Sequence, residues 1–263
     1  SIVMSVFIFV PVVAPTLGQA ILLAAQWRAV FGIFVVMTVL ALVWFALRQP
    51  ETLAPDRQIP FSPGRILKSV REVCSTRVAL GYTLAAGFVY GAFFGYLNSA
   101  QQVFQDHFGL GTRFPLFFGG LALSIAGALF FNTRLVMRFG MRLLTRRALL
   151  VMVSFSIFYG ALAWAMDGNP TLSSFMIYMS VCFFCIGLLF GNLNAIAMQP
   201  LVHIAGVGAA VVGSLSTLIS VPLGIVVGQC YDGTLLPLIA GFALFGTAAY
   251  MTIGWTEHKK FRV

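Results

Sequence analysis

The residues that could do chemistry in this chain are few. None of the seven acidic residues lies in the middle of an apolar run, and the three histidines are likewise near run ends. Cys182 and Cys185 have the spacing of half a zinc site, but a structural zinc takes about four ligands and no second Cys/His pair accompanies them. We interpret both as small packing residues. With no nucleophile elbow or phosphate-binding glycine loop either, we expect no metal site, no cofactor and no enzymatic catalysis.

Uncharged polar and aromatic side chains are better organised, within the apolar run 78–104. On a helical wheel its amides, two aromatic residues and three glycines share an arc of roughly 140°. We interpret this arc as the lining of a substrate cavity, and a helix-packing surface with polar contacts is the alternative. The predicted cavity residues are Tyr90, Phe94, Asn98, Gln101 and Gln102, joined by Asn194 from the run 173–199. The opposite arc is apolar and is predicted to face lipid: Val89, Ala92, Phe93, Tyr96, Leu97, Ala100 and Val103.

Glycines spaced four residues apart indicate where neighbouring helices approach closely. Two of the three runs that carry them also contain the predicted cavity residues, and the third contains Pro222, which removes a backbone donor inside the run 208–231. The predicted packing glycines are Gly87, Gly91, Gly95, Gly187, Gly191, Gly224 and Gly228.

The overall composition identifies the class of protein that must position these residues. Of 263 residues, 60% are apolar and only 9% are charged, whereas a soluble domain is about 25% charged. A soluble fold with so few charges could not cover its surface. The composition therefore excludes a soluble enzyme, a disordered chain and a disulfide scaffold, and it indicates a polytopic membrane protein.

Eight apolar runs are long enough to cross a bilayer, which takes about 20 residues as a helix. The runs are continuous rather than alternating, so we expect helices and an all-α membrane bundle rather than a β-barrel. They are residues 2–24, 29–47, 78–104, 114–136, 148–166, 173–199, 208–231 and 234–255.

The positive charges predict the orientation. Of the 16 Lys and Arg residues, 14 lie on one side of the predicted spans, and only Arg28 and Arg113 lie on the other. This asymmetry places the C-terminus and the start of the first run in the cytoplasm, and we interpret the net charge of +9 as a topology signal rather than a nucleic-acid surface. Because the first run begins at Ile2 without a basic flank, we expect a fragment that an even number of helices precedes.

The longest connection, residues 48–77, contains a predicted amphipathic helix. Ser62 is expected to be its N-cap and Pro63 its first residue. The two faces predict either a helix lying on the cytoplasmic leaflet or a linker helix packed on neighbouring loops. Its apolar face comprises Ile66, Leu67, Val70, Val73 and Cys74, and its polar face Arg65, Lys68, Arg71 and Glu72.

A series of short motifs resembles the Bcr/CflA family of bicyclomycin and multidrug resistance transporters within the major facilitator superfamily. Each motif is weak alone, but their order and spacing are specific and extend along the whole chain. They are APTLG at 14–18, WRAVF at 27–31, PETL at 50–53, AMQP at 197–200, HIAG at 203–206 and YDGT at 231–234.

The resemblance implies a fold of two six-helix halves, of which the eight runs would be helices five to twelve. Residues 1–47 would then end the first half, 48–77 form the central linker, 78–255 form the second half and 256–263 form a cytoplasmic tail. Pro15 and Gly18 resemble the antiporter motif of the fifth helix, although Ala14 and Gln19 depart from it. The basic connection with Arg134, Arg138 and Arg142 resembles a cytoplasmic gating loop that lacks its usual Asp.

The implied function is drug efflux from the bacterial cytoplasm across the inner membrane, driven by inward proton flow and alternating access. The expected partners are a small amphiphilic drug, protons and the lipid bilayer, with no nucleic acid, and the full-length carrier is expected to be a monomer. The alternatives are a major facilitator uptake permease for a small metabolite and, third, an integral membrane enzyme. The amide and aromatic cavity favours a weakly selective drug site over a site matched to one metabolite.

Overall fold

The computed structural model describes residues 17–18, 20–50 and 62–258, and Arg65 by its backbone alone. The described residues are helical and contain no β-strand, so the predicted all-α class is confirmed. We number the longer helices α1 to α8, and their bounds are Arg28–Arg48, Pro63–Ser75, Arg77–Gln101, Phe114–Phe139, Met141–Ala165, Leu172–Met198, Ala205–Gln229 and Leu236–Glu257. A six-residue π-helix, Gln102–His107, extends α3.

Six helical stretches in the described part of the chain are long and apolar enough to cross a membrane. One of them, Leu172–Gln229, contains two predicted spans, α6 and α7, which the 3-10 helix Gln199–Ile204 separates. Pro200 and the non-helical Leu201 account for this break. Seven of the eight predicted spans are therefore present as helices, and the run 2–24 lies mostly outside the described residues, with 20–24 helical.

The helices α3 to α8 form one bundle with α3 and α6 at its centre. Helix α3 packs on α7, α8 and α6, while α6 packs on α4, α5 and α3. Exchanging the triplet α3–α5 with the triplet α6–α8 reproduces this pattern, which is the internal repeat expected of many transporter bundles. In contrast, α1 has no buried residue, and its apolar side chains are exposed from Phe31 onward.

The predicted glycines of α3 and α7 lie in one helix–helix contact. A Cβ on Gly87, Gly91 or Gly95 would come within 2.9 to 3.0 Å of side chains on successive turns of α7. A Cβ on Gly224 would be 2.5 Å from the Phe94 Cβ, closer than van der Waals contact allows. The partner side chains on α7 are Ile219, Leu223 and Val227, and Gly228 lies against Asn98.

The two predicted glycines of α6 differ. Gly187 packs closely on α4, since its Cβ would be 2.9 Å from the Ile125 carbonyl oxygen. Gly191 has nothing within 4 Å and is exposed, so its predicted packing role is wrong for the described bundle. The spacing of the two glycines could not show this difference. Residues four apart lie about one turn apart along the helix and point in slightly different directions, so a partner that contacts one of them need not reach the other.

The arc of α3 predicted to face lipid is instead buried. Val89 and Val103 are fully buried, and Ala92, Tyr96 and Ala100 are at most 2% exposed. The physical reason is that lipid tails and protein interiors are equally apolar, so hydropathy cannot separate a lipid-facing surface from a helix–helix contact. Phe93 is half-buried, and Leu97 is 38% exposed.

The basic connection predicted between residues 134 and 147 is almost entirely helical. Helix α4 continues to Phe139 and α5 begins at Met141, so the turn is Gly140 alone, with a φ of 75°. Arg134, Arg138 and Arg142 therefore lie on helix ends rather than in a loop. The spans were predicted to end where charges begin, but the long aliphatic part of arginine allows a helix to continue into the interface.

Candidate functional site

A hydrogen-bonded group joins the two central helices. The Tyr90 hydroxyl of α3 accepts a hydrogen bond from Asn194 Nδ2 of α6 and donates to the Phe190 carbonyl at 3.2 Å. Asn194 Nδ2 also donates to the same carbonyl at 3.0 Å. Among the described residues no group donates a hydrogen bond to Asn194 Oδ1.

Aromatic rings surround this group. The Tyr90 and Phe190 rings meet edge to face at 4.7 Å, and Phe93 contacts Phe190 in the same geometry at 5.5 Å. Phe94 follows on the half-buried side of α3. Such pairs hold their rings in fixed orientations, so they form a rigid apolar wall beside the amide.

Two more predicted residues continue along α3 from this group. Asn98 and Gln101 are exposed, and Gln101 Nε2 donates to Gln105 Oε1 at 3.3 Å. Leu97, which the wheel placed on the lipid side, shares this exposed surface. We call the surface the open face and define it as Tyr90, Phe94, Leu97, Asn98 and Gln101 of α3 with Gly191 and Asn194 of α6.

Gln102 does not belong to the open face. It begins the π-helix, its carbonyl accepts from the Tyr231 hydroxyl at 3.5 Å, and its side-chain oxygen is buried without a partner in the described residues. The wheel assumed 100° per residue throughout, and a π-helix changes that angle from Gln102 onward.

The open face is amide and aromatic in character. Helix packing positions it, because the glycines of α3 bring α7 close on one side while Tyr90 binds α6 on the other. In the described ranges no acidic residue lies on this face, and no group of three His, Cys, Asp or Glu residues could hold a metal ion. The arrangement can therefore bind apolar and aromatic molecules and orient them by a few hydrogen bonds.

A second polar group ties the helix ends on the side where α3 begins. Glu257 at the end of α8 accepts from Arg142 Nη1 at 3.1 Å and from the Tyr82 hydroxyl at 2.6 Å. Arg142 Nη2 also reaches Gln199 Oε1 at 3.4 Å. The Arg-rich segment lacks a nearby Asp in the sequence. In the structure, the carboxylate that Arg142 binds is that of Glu257, 115 positions further along the chain.

The other residues suggested by the family resemblance are less constrained. The Arg134 and Arg138 guanidinium groups lie over Phe130 and Phe139, at 5.7 and 5.3 Å from the ring centroids. Gly18 has nothing within 4 Å of its Cβ position. Pro15 lies outside the described residues.

The opposite end of the bundle is closed by loop contacts. His107 Nδ1 lies 2.9 Å from the Gly233 carbonyl oxygen, which links the π-helix to the α7–α8 connection. Within that connection, hydrogen bonds from the Thr234 hydroxyl and backbone N–H lower the pKa of Asp232. The predicted turn at 232–234 is thus held by its own side chains.

Two further buried polar groups were missed by the sequence reasoning. Asn192 donates to Asn132 Oδ1 at 2.8 Å between α6 and α4. Tyr178 and Ser156 share a hydrogen bond of 3.0 Å between α6 and α5. Single polar residues on opposite helices give no periodic signal, so only the packing of the helices reveals such pairs.

Comparison with known proteins gives a consistent result. Residues 1–224 match the Major Facilitator Superfamily. Over the whole chain, 29% of residues are identical to an uncharacterized MFS-type transporter, YdgK, of Bacillus subtilis, of which 65% is covered. A bicyclomycin resistance protein homolog of Haemophilus influenzae is 25% identical over 89% of this chain and 58% of its own length. The multidrug resistance protein MdtM of Salmonella typhimurium is 28% identical over 43% of the chain and 27% of its own length.

No solved structure matches the chain significantly. The chain spans less than two thirds of the length of the first two of these relatives. The family match and the multiple spanning helices describe a multi-pass membrane protein of a transporter family. The chain belongs to the Major Facilitator Superfamily, and its similarity to a bicyclomycin resistance protein homolog supports the Bcr/CflA-like assignment within it.

Proposed function

We propose that this chain acts in drug efflux driven by inward proton flow across the bacterial inner membrane. In this proposal it supplies helices five to twelve of a twelve-helix monomeric carrier, with its C-terminus in the cytoplasm, and the open face forms half of the drug-binding cavity. The names of two relatives, a bicyclomycin resistance protein homolog and a multidrug resistance protein, support drug as the substrate class.

The observation that carries the proposal is the Tyr90–Asn194 group. It places the Asn194 amide, whose oxygen accepts no hydrogen bond from the described residues, beside edge-to-face aromatic rings between the two central helices. Aromatic rings accept many flat apolar molecules, and an uncharged amide adds orientation without selecting one charge. A site for one sugar or organic acid would need more hydroxyl partners or a matched charge, so the surface favours a drug carrier over the alternative, an uptake permease.

The proposed transport cycle uses this surface. Rocking of two halves about a midplane site would expose the open face to each side of the membrane in turn. The helix-end group of Glu257, Arg142 and Tyr82 would break or tighten as the cytoplasmic ends separate. Since the open face carries no acidic residue in the described ranges, we propose that the proton-binding carboxylate lies in the other half of the carrier.

The experiment is an accumulation assay in an efflux-deficient bacterium that produces the twelve-helix carrier. We expect a fluorescent lipophilic cation such as ethidium to be excluded from cells, and a protonophore to restore its accumulation. Asn194→Ala at equal membrane abundance should raise accumulation a few-fold, since a single hydrogen bond contributes about 0.5–1.5 kcal/mol. Exclusion that persists with the protonophore would contradict proton coupling, and exclusion unchanged by Asn194→Ala would contradict the site.

A further inference from the structure

Helix α2 has an apolar surface wider than the area that packs on the bundle. Ser69 and Val73 are buried against the bundle, where α2 contacts α7 and α3. Next to them, Ile66 remains 37% exposed and Leu67 is 70% exposed. One side of the helix therefore packs on bundle helices rather than on neighbouring loops, while an apolar edge next to that side has no cover in the described residues.

Positive charge lies beside this edge. Lys68 and Arg71 are exposed and follow Leu67 around the helix. The acidic residue of the helix, Glu72, is half-buried and faces the bundle, where its carboxylate lies 2.6 Å from His203 Nε2. The outward surface of α2 thus combines an apolar edge with two cations, and its carboxylate is engaged elsewhere.

Helix α2 lies next to the end of a spanning helix. A single residue, Thr76, separates it from the spanning helix α3. The first residue of α3, Arg77, lies over the exposed Trp255 ring at 4.7 Å. Tryptophan and arginine at the end of a span are typical of the membrane–water interface. We therefore expect helix α2 near headgroup level, where leucine can reach acyl chains and cations can reach phosphates.

We propose that the outward surface of α2, formed by Ile66, Leu67, Lys68, Arg71 and Cys74, binds anionic phospholipid in the leaflet at which α3 begins. We choose anionic headgroups because of charge complementarity. The two exposed cations next to the apolar edge are attracted to a negatively charged leaflet, and a zwitterionic leaflet does not provide this attraction. This interaction anchors the linker between the two halves to the membrane surface, and it is independent of which substrate is carried.

The test uses Cys74, which lies exposed on this surface. The other cysteines are replaced by Ser, and an environment-sensitive fluorophore is attached to Cys74 in the chain reconstituted into phosphatidylcholine vesicles, with or without one quarter phosphatidylglycerol. We expect a spin label at the lipid headgroup to quench the probe at least two-fold more strongly when phosphatidylglycerol is present. The increase should be lost in K68Q/R71Q and should weaken in high salt, which screens exposed charges.

The matched control is the same probe on Cys230, which is exposed at the opposite end of the bundle and should not respond to K68Q/R71Q. Equal quenching in both lipid mixtures would overturn the proposal. An increase in quenching that K68Q/R71Q leaves intact would also overturn it. The same holds if neither lipid nor aqueous quenchers reach the probe in the twelve-helix carrier, because the other half of the protein would then cover this surface.

Discussion

The Tyr90 hydroxyl and the Asn194 amide show what single residues contribute to this bundle. Each lies on a different central helix, and one hydrogen bond between them connects the two structural triplets. The sequence predicted both as cavity residues from their polarity, but it could not show that they bind each other. Angular position on one helix is periodic, whereas the pairing of two helices depends on their packing.

At this scale we predict a change in drug selectivity for Asn98→Ala and Gln101→Ala in the twelve-helix carrier. Both side chains are exposed on the open face, so removing an amide should alter apparent affinity for some drugs by a few-fold, equivalent to about 0.5–1.5 kcal/mol, without loss of protein. Growth inhibition by a panel of drugs, corrected for membrane abundance, measures the effect.

The control for this prediction cannot be Leu97, because the structure places it on the same surface. Leu244 is 67% exposed on α8, which contributes no residue to the open face, so Leu244→Ala should leave both selectivity and abundance unchanged. Resistance profiles that change with Leu244→Ala but not with Asn98→Ala would contradict the assignment of the open face.

The helices show where sequence patterns succeed and where they fail. Hydropathy predicted seven described spans to within a few residues at most ends, since the bilayer imposes a minimum apolar length on each span. The start of α5 was missed by seven residues, because Arg142, Arg146 and Arg147 were assigned to a loop. The arc of α3 assigned to lipid is buried, since apolar residues serve lipid and core equally well. Only the glycine spacing indicated which surfaces contact a neighbouring helix. Gly87, Gly91 and Gly95 do lie in a close helix contact, whereas Gly191 has nothing within 4 Å.

At the scale of one helix pair we predict that Gly224→Ala destabilises the bundle while Gly213→Ala does not. Both glycines lie in α7, but a Cβ on Gly224 would be 2.9 Å from the Phe94 backbone carbon, which cannot move aside as a side-chain end could. Overpacking of this kind costs about 1–3 kcal/mol. Gly213 has nothing within 4 Å, so alanine there is expected to be neutral or mildly stabilising.

Thermal unfolding of the two purified variants in the same detergent measures this difference. The midpoint for Gly224→Ala should fall below that of the parent chain, and the midpoint for Gly213→Ala should not. Equal midpoints for both variants would show that α3 and α7 do not approach as closely as described.

At the scale of the whole molecule the uneven distribution of charge predicts the orientation. Fourteen of 16 Lys and Arg residues are assigned to one side, and the structure places α2 and Glu257, which binds Arg142, at that end of the bundle. We predict that Cys74 reacts with membrane-impermeant thiol reagents only from the cytoplasmic side, and Cys230 only from the outside.

Single-cysteine chains that keep either Cys74 or Cys230 separate these sides in intact spheroplasts and in everted vesicles. Both residues are exposed in the described bundle, and labelling after detergent solubilisation gives the total reactivity with which each side is compared. Labelling of Cys74 in intact spheroplasts would reverse the orientation, and the direction of transport proposed above would reverse with it.

The whole chain also presents surfaces that the described bundle does not cover. Helix α1 has no buried residue, and the open face lies outside the interior of the six-helix bundle. Two halves are needed for alternating access around a midplane site. We therefore predict that the 263-residue chain alone gives no protonophore-sensitive drug efflux.

Proton movement driven by drug is the direct test of proton-coupled efflux. Everted vesicles that contain the twelve-helix carrier are acidified inside by respiration, and drug is added while a pH-sensitive dye reports the gradient. We expect added drug to raise the internal pH, and the rise to saturate with drug concentration. Asn194→Ala should shift the half-saturating drug concentration to a higher value. Drug transport that leaves the proton gradient unchanged would contradict proton-coupled efflux.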